Sequence, residues 1–543
     1  MWQIEVAPFL TARTRRVLAY LLPMIMLSSL LGSCANASAS QNTRIPLVVQ
    51  VPNIPANLNP SLIAGAGPVA VQIDSLIMPS AFYLDSADNY HLNTSFISSA
   101  EVVSVSPQIV VYNFNPNARW SDGNTLSALD MIYTWEAQKA GVSGTTPAYM
   151  SSLINPNAYN DVESVVSNSD GSSATVTFFK PLSSWQALFD PIFPARYFQP
   201  TGFVASMSLG STAFPTVGNM TIESYTSNEV ILKANSSANS SFSEVVFVTR
   251  NYNNPKLSSL PTVTLTSNLA KKSVAPMYVS DGSTVEMYFN TTLLSLAVRN
   301  AIAYAINREA IWDQLYGNTI LGAKLFSPPG NNLYVPGQQG YRDNQGFFVT
   351  QDLGRSERSF IQAGLSFSAA GTWEPLSSSM TFSIAYQADS FVVSRLAPLI
   401  AKILTKMGLL VSLEPFSGST FSFSLNSVDA VLAQVTNSGD PAELASEFVN
   451  SNDFSYAKDA QIVSNATLLS LAKAQVYPLD SAMYYDRLDQ RIWGTMAGLP
   501  IISPIEQVAT NYLFTAEQQK QALIICTAGG ATSSAPLAVS NSS

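Results

Sequence analysis

Val111-Tyr-Asn-Phe-Asn-Pro-Asn-Ala-Arg-Trp-Ser-Asp-Gly-Asn-Thr-Leu-Ser-Ala-Leu-Asp-Met-Ile-Tyr-Thr-Trp-Glu136 reads as strand, turn and helix. Val111, Tyr112 and Phe114 supply β-prone side chains, and Ser121-Asp-Gly123 is turn chemistry in which glycine can adopt positive φ. Ser127 stands three residues before Asp130, the spacing of a capping box. The serine can accept from a free amide of the first turn, while the carboxylate sits at the positive end of the helix dipole. Met131, Ile132 and Trp135 then give the helix one apolar face. Nothing here requires chemistry, so Trp120, Asp122 and Asp130 read as a corner that defines the fold.

Towards the N-terminus, Arg13, Arg15 and Arg16 precede an apolar run from Val17 to Leu31, ending in Leu31-Gly-Ser-Cys34. The run is 15 residues long and holds Pro23, whereas a membrane-spanning helix needs about 20 apolar residues. It therefore reads as a lipoprotein signal peptide over 1–33, with Cys34 as the lipidated residue and 34–44 as a flexible tether. Thr14-Arg-Arg16 leaves both general and twin-arginine export open. The expected location is the outer face of the cytoplasmic membrane.

Composition limits what this chain can do. Its formal net charge is −9, and removing a leader with three arginines and one glutamate leaves the remainder more acidic still. No basic cluster invites nucleic acid. With Cys34 taken by lipid, Cys526 has no disulfide partner, so stability must come from burial. About 510 residues exceed what one core usually serves, and two or more lobes are expected. His91 is the single histidine, which argues against a Ser-His-Asp triad or a histidine-rich zinc site, and it reads as solvated surface. There is no phosphate-binding glycine loop. The reading is no enzyme, no cofactor and no metal.

Further along, Ile45–Val51 reads as a buried strand leading to Asn57-Leu-Asn-Pro60. Asp161–Val166 and Ala174–Phe179 form a hairpin across Asn168-Ser-Asp-Gly171. Val285–Asn290 is a strand, and Val298 to Trp312 repeats with helical period. Arg299 and Arg308 read as helix-surface arginines that pin neighbouring loops. Met380–Ala385, Phe391–Met407 and Leu409–Phe416 give a βαβ unit whose helix stops at Gly408, and Val428–Val435 adds a third strand. It ends in Thr436-Asn-Ser-Gly-Asp-Pro441.

The order Trp120-Ser-Asp-Gly123, Leu126-Ser-Ala128, Asp130 and a helix with Trp135 resembles the extracytoplasmic solute-binding proteins of family 5. These are the oligopeptide, dipeptide and nickel binders of ABC importers. Val285–Asn290 with the Val298-Arg299 helix is similar to a second motif of that family, and the likeness spans about residues 45–505. The resemblance implies an α/β, bilobal periplasmic-binding-protein-like fold of class II, the large peptide-binder type, with mixed sheets flanked by helices. Lobe I would comprise 45–285 plus 502–531, with an inserted subdomain at about 80–210. Lobe II would comprise 286–501, and 532–543 would be a disordered tail. Crossovers near Asp281–Asn290 and Ala497–Pro504 would hinge the lobes.

The resemblance also implies a ligand, a peptide or other small solute, and ABC permease subunits as partners of a monomer held to the membrane through Cys34. In the peptide binders the loop before the final Asp-Pro carries an aspartate that pairs with the peptide α-ammonium. That place falls here on Asn437, with Asp440-Pro441 matching beyond it, and Pro215–Ile222 keeps little more than Gly218 of another family loop. Asn437, Asp440 and Asn59 are the candidate ligand contacts. Asn437 could bond a capped or neutral ligand, or line a cleft that no longer captures solute. In that alternative the protein would be a regulatory or scaffold lipoprotein of the cell envelope.

Overall fold

The computed structural model describes residues 44–65, 67–85, 87–139, 158–198, 202–217, 220–235, 240–267, 272–280, 282–316, 328–375, 381–417, 428–436, 440–449 and 461–527. The leader, Cys34, Gly218, Asn437 and the tail from 532 lie outside the described residues.

Leu47, Val48 and Val49 in strand Ile45–Val51 are all buried, as expected of a strand covered on both faces. The strand pairs in parallel with Thr262–Thr266 inside a mixed seven-stranded sheet. The order of that sheet is Met277–Ser280, Ile505–Thr510, Thr262–Thr266, Ile45–Val51, Phe242–Thr249, Glu229–Ala234, Met220–Tyr225. A second sheet orders Leu410–Phe416, Thr381–Gln387, Ala430–Thr436, Ser283–Phe289, Gly498–Ile502. Its βαβ pair runs parallel, from Thr381 opposite Leu410 to Gln387 opposite Phe416. Helix Phe391–Lys406 buries Val393, Leu396, Ile400 and Leu404 against these strands, and Gly408 ends it at φ 93°.

Alternation along Ser283–Phe289 shows how the second sheet divides its core. Val285, Met287 and Phe289 pack in one apolar cluster, and Tyr288 in the cluster on the other face. The chain leaves the first sheet after Ser280, enters the second at Ser283, and returns between Ile502 and Ile505. Both crossings are thus shorter than the expected hinge segments, because most of those residues are paired strand.

The organising motif forms its own corner. Gln108–Phe114 lies inside an antiparallel sheet between Ile97–Val105 and Ser173–Phe178, with Val162–Ser167 beyond. Trp120 is 1 % exposed and bridges to Val217, while the Ser121 amide donates to Thr216 O at 2.7 Å. Asp130 joins three pieces of chain. One carboxylate oxygen accepts from Trp120 Nε1 at 3.2 Å and from the Ser127 amide at 3.0 Å. The other accepts from the Ala195 amide at 2.9 Å. Asp122, by contrast, meets Arg196 at 2.6 Å on the surface.

Arg299 and Arg308 pin loops as expected, but they are buried rather than on a helix surface. Arg299 donates to the carbonyls of Leu294, Thr495 and Met496. Arg308 donates to those of Pro329, Phe348 and Pro500 and to Gln345 Oε1. Helix-end and loop carbonyls that would otherwise be buried unpaired require these donors.

Three carboxyls share this kind of interior. Burial holds Glu286 and Asp74 well above the usual carboxylate range, and Asp489 is pushed up to about 6 despite bonds from Asn332 and Asn344. Unfolded carboxyls titrate near 4, so between about pH 4 and 6 the folded chain retains protons the unfolded chain releases.

Two outcomes follow. Asp130→Ala, which strands three donors, should cost about 3 kcal/mol in urea unfolding. Asp122→Ala should cost less than about 1 kcal/mol, its partner being exposed. Stability contributed by the neutral carboxyls is complete below about pH 4 and is lost as pH rises, so Tm in calorimetry should fall from pH 5 to pH 8. Glu286→Gln should flatten that slope, and a rising Tm would contradict the assignment.

Candidate functional site

Five stretches distant in sequence converge on one cavity. They are Asp88-Asn-Tyr90 and Ser183–Gln186, which precede the second sheet in the chain, and Tyr334 with Gln338-Gln339, Asp440-Pro441, and Pro478 to Tyr485, which lie between its first and last strands. They enclose a polar cavity of about 60 Å³.

Each side chain is positioned by local chemistry. Asp440 caps helix Pro441–Glu447, its Oδ1 accepting from the Ala442 amide at 2.9 Å, and Pro441 suits the first helical position. Tyr334 and Tyr485 lie edge to face at 6.2 Å. Burial first, and Asp440 second, hold both hydroxyls above the ordinary tyrosine range, which makes Asp440 their electrostatic neighbour. Asp88 turns the hairpin between Phe82–Leu84 and Tyr90–Leu92 at φ 58°. Burial, then Asp85, pushes its carboxyl up to about 7. Asp88 Oδ2 and the Tyr485 hydroxyl are buried and without a hydrogen-bond partner among the described residues.

Direct contacts join the Asn89 hairpin to the Gly337–Gln339 loop beside the cavity. Asn89 Nδ2 donates to Gly337 O at 3.2 Å, and the Gln339 amide donates to Asn89 Oδ1 at 2.5 Å. Asp85 holds that asparagine through its amide at 3.0 Å and its side chain at 3.2 Å. His91 is exposed, as expected of solvated surface, and pairs with Asp85 at 2.8 Å. Gly337, at φ 94°, lets the loop approach, since a Cβ there would stand 3.2 Å from that of Ala87.

Of the sequence candidates, Asp440 lines the cavity, and Asn437 lies outside the described residues. Asn59 is fully buried elsewhere. Its Nδ2 donates to Phe203 O at 2.8 Å and its Oδ1 accepts from the Ser61 amide at 3.0 Å, so it ties a loop to helix Gly202–Ala205. Asp88, Tyr334 and Tyr485 were not singled out. The turn dipeptide Asp88-Asn89 and the glycine pair Gly337 and Gly340 were the available signals. A larger groove of about 750 Å³ lies on the first sheet, lined by Gln50, Tyr252, Thr264 and Thr510 among others, and involves one lobe alone. Among the described residues, no helix is long and apolar enough to cross a membrane.

Asn89→Ala removes both hydrogen bonds between hairpin and loop. Amide exchange at residues 334–341 should accelerate several-fold while the core of helix Phe391–Lys406 keeps its protection. Unchanged exchange would show that the loop is held by other contacts.

Comparisons with known proteins agree on the kind of molecule. Residues 249–456 match the family model for the middle of bacterial extracellular solute-binding proteins, family 5. A probable monoacyl phosphatidylinositol tetramannoside-binding protein, LpqW of Mycobacterium tuberculosis, is 28 % identical over 180 residues. That is 32 % of this chain but 26 % of the relative, so the match spans about a quarter of its length. The oligopeptide-binding protein OppA of Mycobacterium tuberculosis is 24 % identical over 494 residues, 86 % of this chain and 81 % of the relative. Among solved structures, a periplasmic EDTA-binding protein, EppA, superposes with a TM-score of 0.68 at 19 % identity, covering 86 % of this chain and 91 % of that one. Over residues 249–456 the chain is thus similar to the middle of the bacterial extracellular solute-binding proteins of family 5, and over 86 % of its length it shares the fold of a periplasmic binding protein.

Proposed function

We propose that the protein captures a peptide between its lobes and hands it to the permease of an ABC importer. It acts as a monomer tethered to the outer face of the cytoplasmic membrane by lipid on Cys34. The observation that carries this reading is the cleft: side chains from both lobes meet around one polar cavity, with Asp440 at its wall. A ligand there touches both lobes at once, so it stabilises the closed arrangement through contacts the open one lacks. Asp440 would accept from a ligand donor, Asn437 would contact a neutral part of it, and Asn59 would keep the first-lobe loop in shape. Lobe I would take 45–285 with 502–531, and lobe II 286–501, moving about the two crossings. OppA's likeness over 86 % of the chain supports peptide as the solute.

A second reading is favoured by the small volume, since about 60 Å³ holds only a fragment of a peptide. On that reading the fold persists without solute capture, and the lipoprotein regulates or scaffolds in the envelope.

Native mass spectrometry of residues 35–543 discriminates between them. Protein purified without denaturation should carry a heterogeneous excess mass of peptide size that disappears on unfolding and refolding. A bare mass in both samples, with no thermal shift from peptide pools, would overturn peptide capture.

A further inference from the structure

We propose that the groove of about 750 Å³ on the first sheet is a second binding site, which takes a sugar bearing one carboxylate or phosphate. The proposal goes beyond solute capture in the cleft, and the two cavities share no lining residue.

Charge sets this face apart. The chain carries −9 overall, yet from Val245 to Ser280 the sequence holds Arg250, Lys256, Lys271 and Lys272 and no aspartate or glutamate. That stretch supplies most of the groove, from Val248 to Val274, and Gln50 and Asn511 come from the neighbouring chain. The lining has a single charged side chain, Lys272, which is exposed and has no ion pair among the described residues. An anion therefore meets a locally positive wall on an otherwise acidic molecule.

Hydrogen bonding inside the groove leaves donors over. Gln50 Oε1 accepts from Thr264 Oγ1 at 2.8 Å, Asn254 Oδ1 from the Lys256 amide at 3.1 Å, and Asn511 Oδ1 from the Thr262 amide at 2.7 Å. Ser273 Oγ accepts from the Thr510 amide at 2.9 Å. These oxygens are engaged within the protein, while Gln50 Nε2, Asn254 Nδ2 and the Lys272 ammonium have no partner among the described residues. A ligand rich in acceptors and negatively charged satisfies all three, and a charge-assisted bond is about twice as strong as a neutral one. Hydroxyls suit the rest of the wall, because those of Tyr252, Thr262 and Thr264 can either donate or accept. Val48, Val248 and Ala509 are buried beneath and give the C–H face of a sugar ring an apolar floor. The volume falls within the range of about 300–1,000 Å³ usual for small-molecule sites.

The test is titration calorimetry on residues 35–543 with four probes: glucuronate, glucose 6-phosphate, glucose and inorganic phosphate. At least one of the two sugar anions should bind one to one, and glucose and inorganic phosphate should bind about tenfold more weakly or not at all. Preference for glucuronate would assign a carboxylate, and preference for glucose 6-phosphate a phosphate. Gln50→Glu keeps an oxygen for Thr264 but puts a carboxylate where the free amide stood, so it should weaken the sugar anion about tenfold or more at unchanged Tm. Lys272→Gln, at an exposed position, should weaken it several-fold and flatten its dependence on salt, and it decides the matter if Gln50→Glu lowers Tm. No binding by either sugar anion, or an affinity unmoved by both substitutions, would overturn the proposal. Inorganic phosphate binding as tightly as glucose 6-phosphate would mean an adventitious ion only, and would overturn it too. Displacement of the sugar anion by a peptide pool would place it in the cleft and remove the groove assignment.

Discussion

The chain crosses between two sheets twice, and both crossings are clamped by strand pairing on either side. Ser283–Phe289 and Gly498–Ile502 are neighbours in the second sheet, while Met277–Ser280 and Ile505–Thr510 are neighbours in the first. Everything from 283 to 502 is therefore an insertion whose two ends are fixed side by side. Such a lobe can rotate about a short double connection, but it cannot drift away. The polar cavity gathers residues from both sides of this arrangement, Asp88 and Ser183 from before the insertion and Asp440 and Tyr485 from within it.

Rigidity inside each lobe makes such a motion useful. In the first, Asp130 binds a strand-following turn, its own helix start and the Ala195 segment with one carboxylate. In the second, Arg299 and Arg308 hold carbonyls from several loops and from the end of helix Pro478–Thr495. Each centre is a charged side chain whose hydrogen bonds are nearly all made within its own lobe. Outside these centres, the two crossings and the Asn89 contact with Gly337 and Gln339 link the two parts of the chain.

Much of this was legible in the sequence, because local periodicity and local caps carry it. The Ser127–Asp130 cap, the βαβ unit and the Gly408 stop are patterns spanning fewer than about 40 residues, within reach of a periodicity argument. The depth of Arg299 and Arg308 was not legible, because it depends on carbonyls up to 197 positions away. The cleft was legible only at Asp440, whose Asp-Pro turn is a local signal. Asp88, Tyr334 and Tyr485 carry no shared pattern, and only the closing of two lobes makes them one surface. Asn59 looked like a ligand contact for the opposite reason. A polar turn residue in sequence gives no sign that backbone groups of Phe203 and Ser61 will occupy its amide.

A spin-label distance between Val103 and Ile361, exposed positions in opposite lobes, tests the central claim most directly. Pulsed electron resonance on ligand-stripped protein should give a broad distribution, and a peptide pool should collapse it onto the shorter, narrow distance of the closed cleft. A single distribution, unchanged by peptide, would contradict the account of two lobes closing on a solute.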